Sequence, residues 1–163
     1  MRITLLRPSI GARRSRDAMQ PLAFAILAAL TPPDIHIAFH DELVETLPLH
    51  EPADLVAMSV DSYTARRAYQ IAAIYRRRNI PVVMGGHHPT LLPDEALQWA
   101  DAVVVGDAES AWPRLLADVR RGRLQRIYRQ DTPPPLTDLI PDRSIFKRAR
   151  NGDVNSFPSS CLK

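Results

Sequence analysis

Two adjacent histidines follow a glycine pair in the stretch "VVMGGHHPTLLPDEAL" (residues 82–97), and histidine is a common ligand of metal ions. The side chains of neighbouring residues diverge, so we do not expect His87 and His88 to bind one ion together. Two further histidines, His36 and His40, lie in another predicted strand, and no C-x-x-C motif is present. The sequence therefore predicts no metal site formed by protein side chains.

The glycines of the same stretch end a predicted buried strand. A tight turn with positive φ would account for one glycine. Two in succession, Gly85 and Gly86, also remove both Cβ atoms and would let a large flat ligand lie against the backbone. Gly106 ends another strand in the same way, and Asp107 and Glu109 follow it. These carboxylates could cap the next helix, bind polar groups of a cofactor, or do both.

Hydroxyl side chains follow a third predicted strand in "MSVDSYTA". A nucleophilic serine would need a base and an oxyanion hole, and the G-x-S-x-G motif is absent. Ser62 or Thr64 could cap the helix that starts near Ala65, or the hydroxyls could line a cofactor and donate hydrogen bonds to it. We assign no catalytic residue.

The composition of the chain and the absence of nucleotide-binding motifs argue against several other functions. The sequence lacks G-x-G-x-x-G and G-x-x-x-x-G-K-[ST], which argues against a dinucleotide or nucleoside triphosphate. The net charge of +3 comes mainly from arginines in short scattered groups, so no nucleic-acid partner is expected. The apolar run 21–30 is too short to span a membrane. The single cysteine rules out an internal disulfide and suits the cytoplasm.

Short apolar runs alternate with helical patterns along the chain of 163 residues, 45% of them apolar. The predicted strands are 2–8, 34–41, 54–60, 80–86, 101–107 and a short edge strand within 123–129; the predicted helices are 17–30, 64–79, 94–100 and 110–122. This order predicts a three-layer α/β domain with a doubly wound parallel sheet, Rossmann-like or flavodoxin-like. Ligands bind at the carboxyl ends of such strands, where the glycines, histidines and hydroxyls described above all lie.

Three motifs in this order and spacing resemble the amino-terminal cobalamin-binding domain of cobalamin-dependent radical S-adenosylmethionine enzymes. They are S-x-x-x-x-T-A-x-R-A-Y from residue 59, G-G-x-H-P-T-L-L-P-x-E-A-L from residue 85, and D-A-V-V-x-G-D/E-x-E from residue 101. The resemblance covers residues 1–146. It implies a flavodoxin-like sheet whose carboxyl end holds the corrin, with the nucleotide tail displaced from cobalt and buried beside the sheet.

The resemblance also implies which residues contact the cofactor. The implied contacts are Ser59, Asp61, Ser62, Tyr63, Thr64, Gly85, Gly86, His88, Pro89, Thr90, Gly106, Asp107 and Glu109. Related domains that ligate cobalt through histidine carry D-x-H-x-x-G after the first strand, where this chain reads "RPSIGARRS". The implied state is therefore base-off cobalamin with no protein histidine on cobalt.

The carboxyl-terminal part departs from the family. Complete members continue into a barrel whose C-x-x-x-C-x-x-C motif holds the [4Fe–4S] cluster that cleaves S-adenosylmethionine, and Cys161 alone cannot hold that cluster. We predict a cobalamin-binding domain over 1–130, and over 131–163 a proline-rich linker and truncated tail before an absent radical domain. The chain is then a truncated form, a prematurely ended reading frame, or a carrier for a separate subunit.

The predicted function is a cobalamin-binding module of an enzyme for methyl transfer or radical rearrangement, not catalytic on its own. One alternative is a Rossmann-like binding or interaction domain that has lost the cofactor. Another is a small independent enzyme that uses His87 or His88 with Asp94 or Glu95 as acid and base.

Overall fold

The computed structural model describes residues 1–11, 19–129 and 139–149, with side chains described only as far as residue 146 in the last range. The strands are β1 Arg2–Arg7, β2 His36–Asp41, β3 Leu55–Ser59, β4 Val82–Gly85, β5 Ala102–Val105 and β6 Ile127–Arg129. The helices are α1 Leu22–Ala29, α2 Ala65–Arg77, α3 His87–Leu91, α4 Pro93–Trp99 and α5 Ala111–Arg120, followed by a 3-10 helix at Arg143–Ala149.

Within these residues, the strands form one six-stranded sheet in the order β2-β1-β3-β4-β5-β6, and every neighbouring pair is parallel. The predicted doubly wound α/β fold is confirmed. The strands are added on both sides of β1: β2 lies on one side of it, and β3 to β6 lie on the other. The order of the strands therefore reverses between β1 and β3. A crevice at the carboxyl ends of the strands is expected at such a switch point.

Two hydrophobic clusters pack on opposite faces of the sheet and make the three layers. One contains Phe24 of α1 and Trp112 of α5, and the other contains Ile71 and Tyr75 of α2. The central strands β3, β4 and β5 supply side chains to both clusters, so their sequences are almost uniformly apolar, as in parallel sheets covered on both faces. The helices α1 and α5 therefore cover one face, and α2 covers the other.

The predicted strands and the four predicted helices are present in the structure, but two helical segments are not predicted. One is the 3-10 helix at Arg143–Ala149. The prediction left the "GGHHPT" segment without a helix, yet residues His87–Leu91 form the short helix α3. Helix α1 begins after Pro21, within the predicted range 17–30, and β2 lies at one edge of the sheet. Of the two tryptophans, Trp112 is buried and Trp99 is 42% exposed.

The described part of the predicted linker packs against the domain. Phe146 is buried and makes an edge-to-face contact with Phe39, with the ring centroids 5.1 Å apart. The backbone N–H of Asp142 donates to the carbonyl of Ala25 in α1 at 2.9 Å. The predicted domain boundary at residue 130 and the tail 150–163 lie outside the described residues, so that division stays a prediction.

Candidate functional site

A cavity of about 480 Å³ opens at the carboxyl end of the sheet, between α1 and the strands. Its walls come from α1, from the ends of β3, β4 and β5, and from the first residues after those strands. The lining residues are Leu22, Ala23, Phe24, Ile26, Leu27, Ala57, Met58, Ser59, Val83, Gly85, Gly86, His87, Thr90, Leu91, Val104, Gly106, Asp107, Ala108, Glu109 and Trp112. Apolar side chains form the depth of the cavity, and the polar groups belong to the turns.

Seven of the thirteen predicted contact residues line this cavity. They are Ser59, Gly85, Gly86, Thr90, Gly106, Asp107 and Glu109. The other six, which do not line it, are Asp61, Ser62, Tyr63, Thr64, His88 and Pro89. The structure therefore brings together the turns that contain Gly85, Gly86 and Gly106, but places His88 and most of the hydroxyl loop away from the cavity wall.

A second depression, of about 610 Å³, lies at the opposite end of the sheet beside the last turn of α2. Arg76 and Asp101 on its wall form an ion pair, with Nε and Oδ1 3.2 Å apart. This depression is shallow and open, and none of the glycine turns lines it.

The turn after β4 depends on Gly86. Its φ is +101°, a value that L side chains rarely adopt, so the prediction of a positive φ at the glycine pair is confirmed for this residue. A Cβ atom here would lie 2.9 Å from both the N and the O of Val60, and 3.2 Å from Oγ of Ser59. Gly86 therefore allows the turn to touch the neighbouring turn backbone to backbone.

Hydrogen bonds join these two turns. Ser59 pairs with Gly85 in the sheet, and the N–H of Val60 donates to the carbonyl of Gly85 at 2.8 Å. The N–H of His88 then donates to the carbonyl of Val60 at 3.1 Å. On the other side, the N–H of Gly106 donates to Oγ1 of Thr90 at 3.0 Å. The turns after β3, β4 and β5 thus form one connected backbone surface at the cavity mouth.

Thr64 lies where the predicted helix cap was expected, but its side chain does not form the capping hydrogen bond. Thr64 occupies the N-cap position of α2 and makes no side-chain bond to the helix. Its buried hydroxyl instead accepts from the N–H of Asp61 at 3.1 Å and donates to the carbonyl of Asp61 at 3.0 Å. The N-cap position of α5 is occupied by Ser110, not by Asp107 or Glu109, and Ser110 makes no side-chain cap bond.

Asp61 connects two side chains at the cavity mouth. One carboxylate oxygen lies 3.2 Å from Nδ1 of His87, and the other accepts a hydrogen bond from the hydroxyl of Tyr63 at 3.2 Å. The negative charge of Asp61, together with burial and this hydrogen bond, raises the pKa of the Tyr63 phenol above its ordinary value. The side chain of His87 is 90% exposed and lines the cavity mouth.

The side chain of His88 is buried and belongs to a hydrogen-bond network with Tyr69 and the more exposed Glu95. Its Nε2 is 2.8 Å from the hydroxyl of Tyr69, which donates to Oε1 of Glu95 at 3.0 Å. Tyr69 stacks on Trp99 with ring centroids 5.3 Å apart. Burial and the Glu95 carboxylate raise the pKa of the Tyr69 phenol well above its usual range, so the phenol stays protonated. His88 therefore fastens α3 to α2 and α4 and does not reach the cavity.

Replacing Tyr69 with phenylalanine should lower the free energy of unfolding by about 1–3 kcal/mol, because His88 is buried and would lose its hydroxyl partner. Urea unfolding monitored by circular dichroism measures this change. Tyr63→Phe is the matched control, since that hydroxyl is lost from a side chain that is 65% exposed and should cost far less. Equal stabilities of the two variants would contradict the structural role of the hydrogen bond between Tyr69 and His88.

Sequence reasoning missed the cavity wall contributed by α1 and the strand interiors, notably Leu27, Ala57 and Val104. In the sequence these residues are indistinguishable from ordinary core residues. The one available signal was that "LAFAILAA" is apolar around its whole circumference, although it forms a helix with an exposed side. A helix that is apolar on every side is expected to bury a second side as well, against another part of the protein or against a ligand.

None of the helices in residues 1–11, 19–129 and 139–149 is long and apolar enough to cross a membrane. Among the same residues, no group of three or more histidine, cysteine, aspartate or glutamate side chains could hold a metal ion. Apolar side chains line the depth of the cavity, and backbone and hydroxyl groups lie at its mouth.

Fold and cavity together define a doubly wound cofactor-binding domain with its site at the carboxyl ends of parallel strands. The model of the family described as "B12 binding domain" matches residues 16–116. The chain belongs to this B12-binding domain family, and the predicted resemblance to a cobalamin-binding domain is confirmed.

Three curated proteins are similar in sequence. A bacteriochlorophyllide d C-8(2)-methyltransferase from Chlorobaculum tepidum is 37% identical over 74% of this chain and 27% of its own length. A bacteriochlorophyllide d C-12(1)-methyltransferase from the same organism is 32% identical over 77% of this chain and 28% of its length. An uncharacterized methyltransferase from Pyrococcus horikoshii is 29% identical over 63% of this chain and 25% of its length. The chain spans about a quarter of these relatives.

Proposed function

We propose that this chain is a cobalamin-binding module that holds the cofactor in a base-off state. The observation that carries the proposal is the apolar cavity of about 480 Å³ between α1 and the sheet, which opens among the turns after β3, β4 and β5, two of which contain glycine. Its volume lies in the usual range of organic-ligand pockets. It suits a planar, mostly apolar dimethylbenzimidazole tail, and the turn surface outside it suits the flat corrin.

The residues at the cavity mouth supply the polar contacts. The hydroxyl of Ser59 lines the cavity and would donate to a ring nitrogen of the tail. The hydroxyl of Thr90 accepts a hydrogen bond from the N–H of Gly106 and still has its own proton to donate. Gly85 and Gly86 keep the approach clear of side chains. The six predicted contacts outside the cavity wall act around its rim or, like Thr64 and His88, by holding the turns in place.

In the complete enzyme, the bound cofactor supplies a cobalt atom that can carry a methyl group. The residues of this chain bind and orient the corrin and keep water from the buried tail. We assign the module to cytoplasmic enzymes of methyl transfer, on the support of relatives that are named methyltransferases. Cleavage of S-adenosylmethionine at a [4Fe–4S] cluster belongs, in this proposal, to a separate radical domain or subunit.

Incubation with hydroxocobalamin followed by desalting tests the proposal. We expect about one cobalamin per chain, with the absorbance spectrum of the base-off form. Arg77→Ala, at the opposite end of the sheet, is the control and should retain the same amount. A colourless protein would instead support the interaction domain that has lost its cofactor, and a retained base-on spectrum would contradict burial of the tail.

A further inference from the structure

We propose that the cavity selects the lower base of the cofactor, accepting dimethylbenzimidazole and rejecting a purine such as adenine. This inference rests on the proposed function, in which the cavity holds the nucleotide tail. Dimethylbenzimidazole has one free ring nitrogen and two methyl groups once it is detached from cobalt. Adenine in the same place carries an amine and further ring nitrogens. The side chains that line the cavity distinguish these two bases by their polarity.

One face of three neighbouring strands forms the floor of the cavity. Because residues alternate between the two faces of a strand, Ala57 and Ser59 of β3 lie on one face, and so do Val83 and Gly85 of β4. Ala57 pairs with Val83 in the sheet, and Ser59 pairs with Gly85. Val104 of β5 completes this floor. The floor therefore changes from alkyl groups in the depth to the Ser59 hydroxyl at the mouth.

The opposite wall is also apolar in its depth. It is formed by Phe24 and Leu27 of α1 and by Trp112 of α5. The indole N–H of Trp112 already donates to Oγ1 of Thr31 at 2.9 Å, and Thr31 donates to the carbonyl of Leu27 at 2.6 Å. The other polar side chains of the wall lie at strand ends or in the segments that follow them: Ser59, His87, Thr90, Asp107 and Glu109. Among the described residues, the depth thus offers no free hydrogen-bonding side chain.

A base buried in this depth keeps only the hydrogen bonds that the mouth supplies. Dimethylbenzimidazole needs one donor, which the hydroxyl of Ser59 provides, and its methyl groups pack against alkyl side chains. Adenine would bury an amine and ring nitrogens without partners, which is unfavourable. A water molecule does not relieve this, because it needs two or more polar partners. The expected discrimination is about 10- to 100-fold in affinity.

Val104 and Val103 offer a matched pair of variants. Val104 is buried in the cavity wall, whereas Val103, its neighbour in β5, is buried in the cluster on the other face of the sheet. Threonine differs from valine by a hydroxyl in place of one methyl group. Val104→Thr therefore gives the depth a hydrogen-bonding group that adenine could use. Val103→Thr makes the same chemical change where the tail does not reach.

The affinities of two cofactors test the proposal. Cobalamin and the otherwise identical cofactor with an adenine base are titrated into the unaltered protein, Val104→Thr and Val103→Thr, and absorbance gives the dissociation constants. The energy needed to detach each base from cobalt is measured by acid titration of the free cofactor, and it is the same for every protein. After this correction the unaltered protein should prefer cobalamin about 10- to 100-fold. Val104→Thr should lower the preference about tenfold, and Val103→Thr should leave it unchanged.

A corrected ratio near one in the unaltered protein overturns the proposal but leaves the proposed function standing, because both cofactors then bind. A preference that Val104→Thr leaves unchanged, or that Val103→Thr lowers equally, also overturns it. Binding of neither cofactor overturns the proposed function as well, so the two failures are distinguishable. Circular dichroism checks the folding of each variant, and Ala57→Ser, which places a hydroxyl on the same floor, replaces Val104→Thr if that variant does not fold.

Discussion

Gly86→Ala is expected to destabilise the domain by about 3 kcal/mol or more and to abolish cobalamin retention. The added Cβ would lie 2.9 Å from two backbone atoms of Val60, at a φ of +101° that alanine adopts only with strain. Because Val60 also bonds to Gly85 and His88, relief of the clash must separate the two turns. Chemical denaturation measures the loss of stability, and desalting after loading measures the loss of binding.

Two other glycines serve as controls for this substitution. A Cβ at Gly85 would make an ordinary contact, 3.6 Å from Cβ of Val104, so Gly85→Ala should leave stability nearly unchanged. Gly122 has a φ of +64° in open space, so Gly122→Ala should cost only about 1–2 kcal/mol, the price of the left-handed conformation alone. If Gly86→Ala were no worse than Gly122→Ala, close contact with Val60 would not be what requires a glycine there.

Ala57→Phe is expected to reduce cobalamin affinity about 100-fold or more, because the ring would occupy the cavity and exclude the nucleotide tail. Cobinamide, which has the corrin without the nucleotide tail, should bind the variant as it binds the unaltered protein. Titration followed by absorbance measures both affinities. The comparison between the two ligands removes any general effect of the substitution on the fold.

Val104→Ala is the matched control for filling the cavity. It removes atoms from the same wall, so it should retain cobalamin despite a modest loss of stability. Cobalamin binding to Ala57→Phe at the original affinity would show that the tail lies elsewhere, whatever the fate of the corrin.

The fold could be predicted because each strand and helix has its own sequence pattern. Continuous apolar runs such as "LVAMS" and "AVVV" indicate strands buried on both faces, and the stripe through Ala68, Ala72 and Tyr75 indicates an amphipathic helix. Helix α3 could not be predicted in this way. It has only five residues, one of them Pro89, and its stability comes from the buried contacts of His88 and not from a periodic pattern.

The candidate site could be predicted only where backbone geometry required a particular residue. Gly86 is such a case, since positive φ and close approach both call for glycine. The divergence of His87 and His88 was predictable from their adjacency, but the sequence does not say which of them turns toward the ligand. That choice follows from the hydrogen bonds of His88 to Tyr69, a residue nineteen positions away, and is a property of tertiary packing.

The backbone bonds between the turns after β3 and β4 have an entropic consequence. A loop that becomes ordered only when a ligand arrives loses conformational freedom at that moment, and the loss is subtracted from the affinity. Here the order is already established by the bonds among Val60, Gly85 and His88. The domain thus meets this cost during folding, and most of the interaction energy at the cavity mouth remains available for holding a ligand.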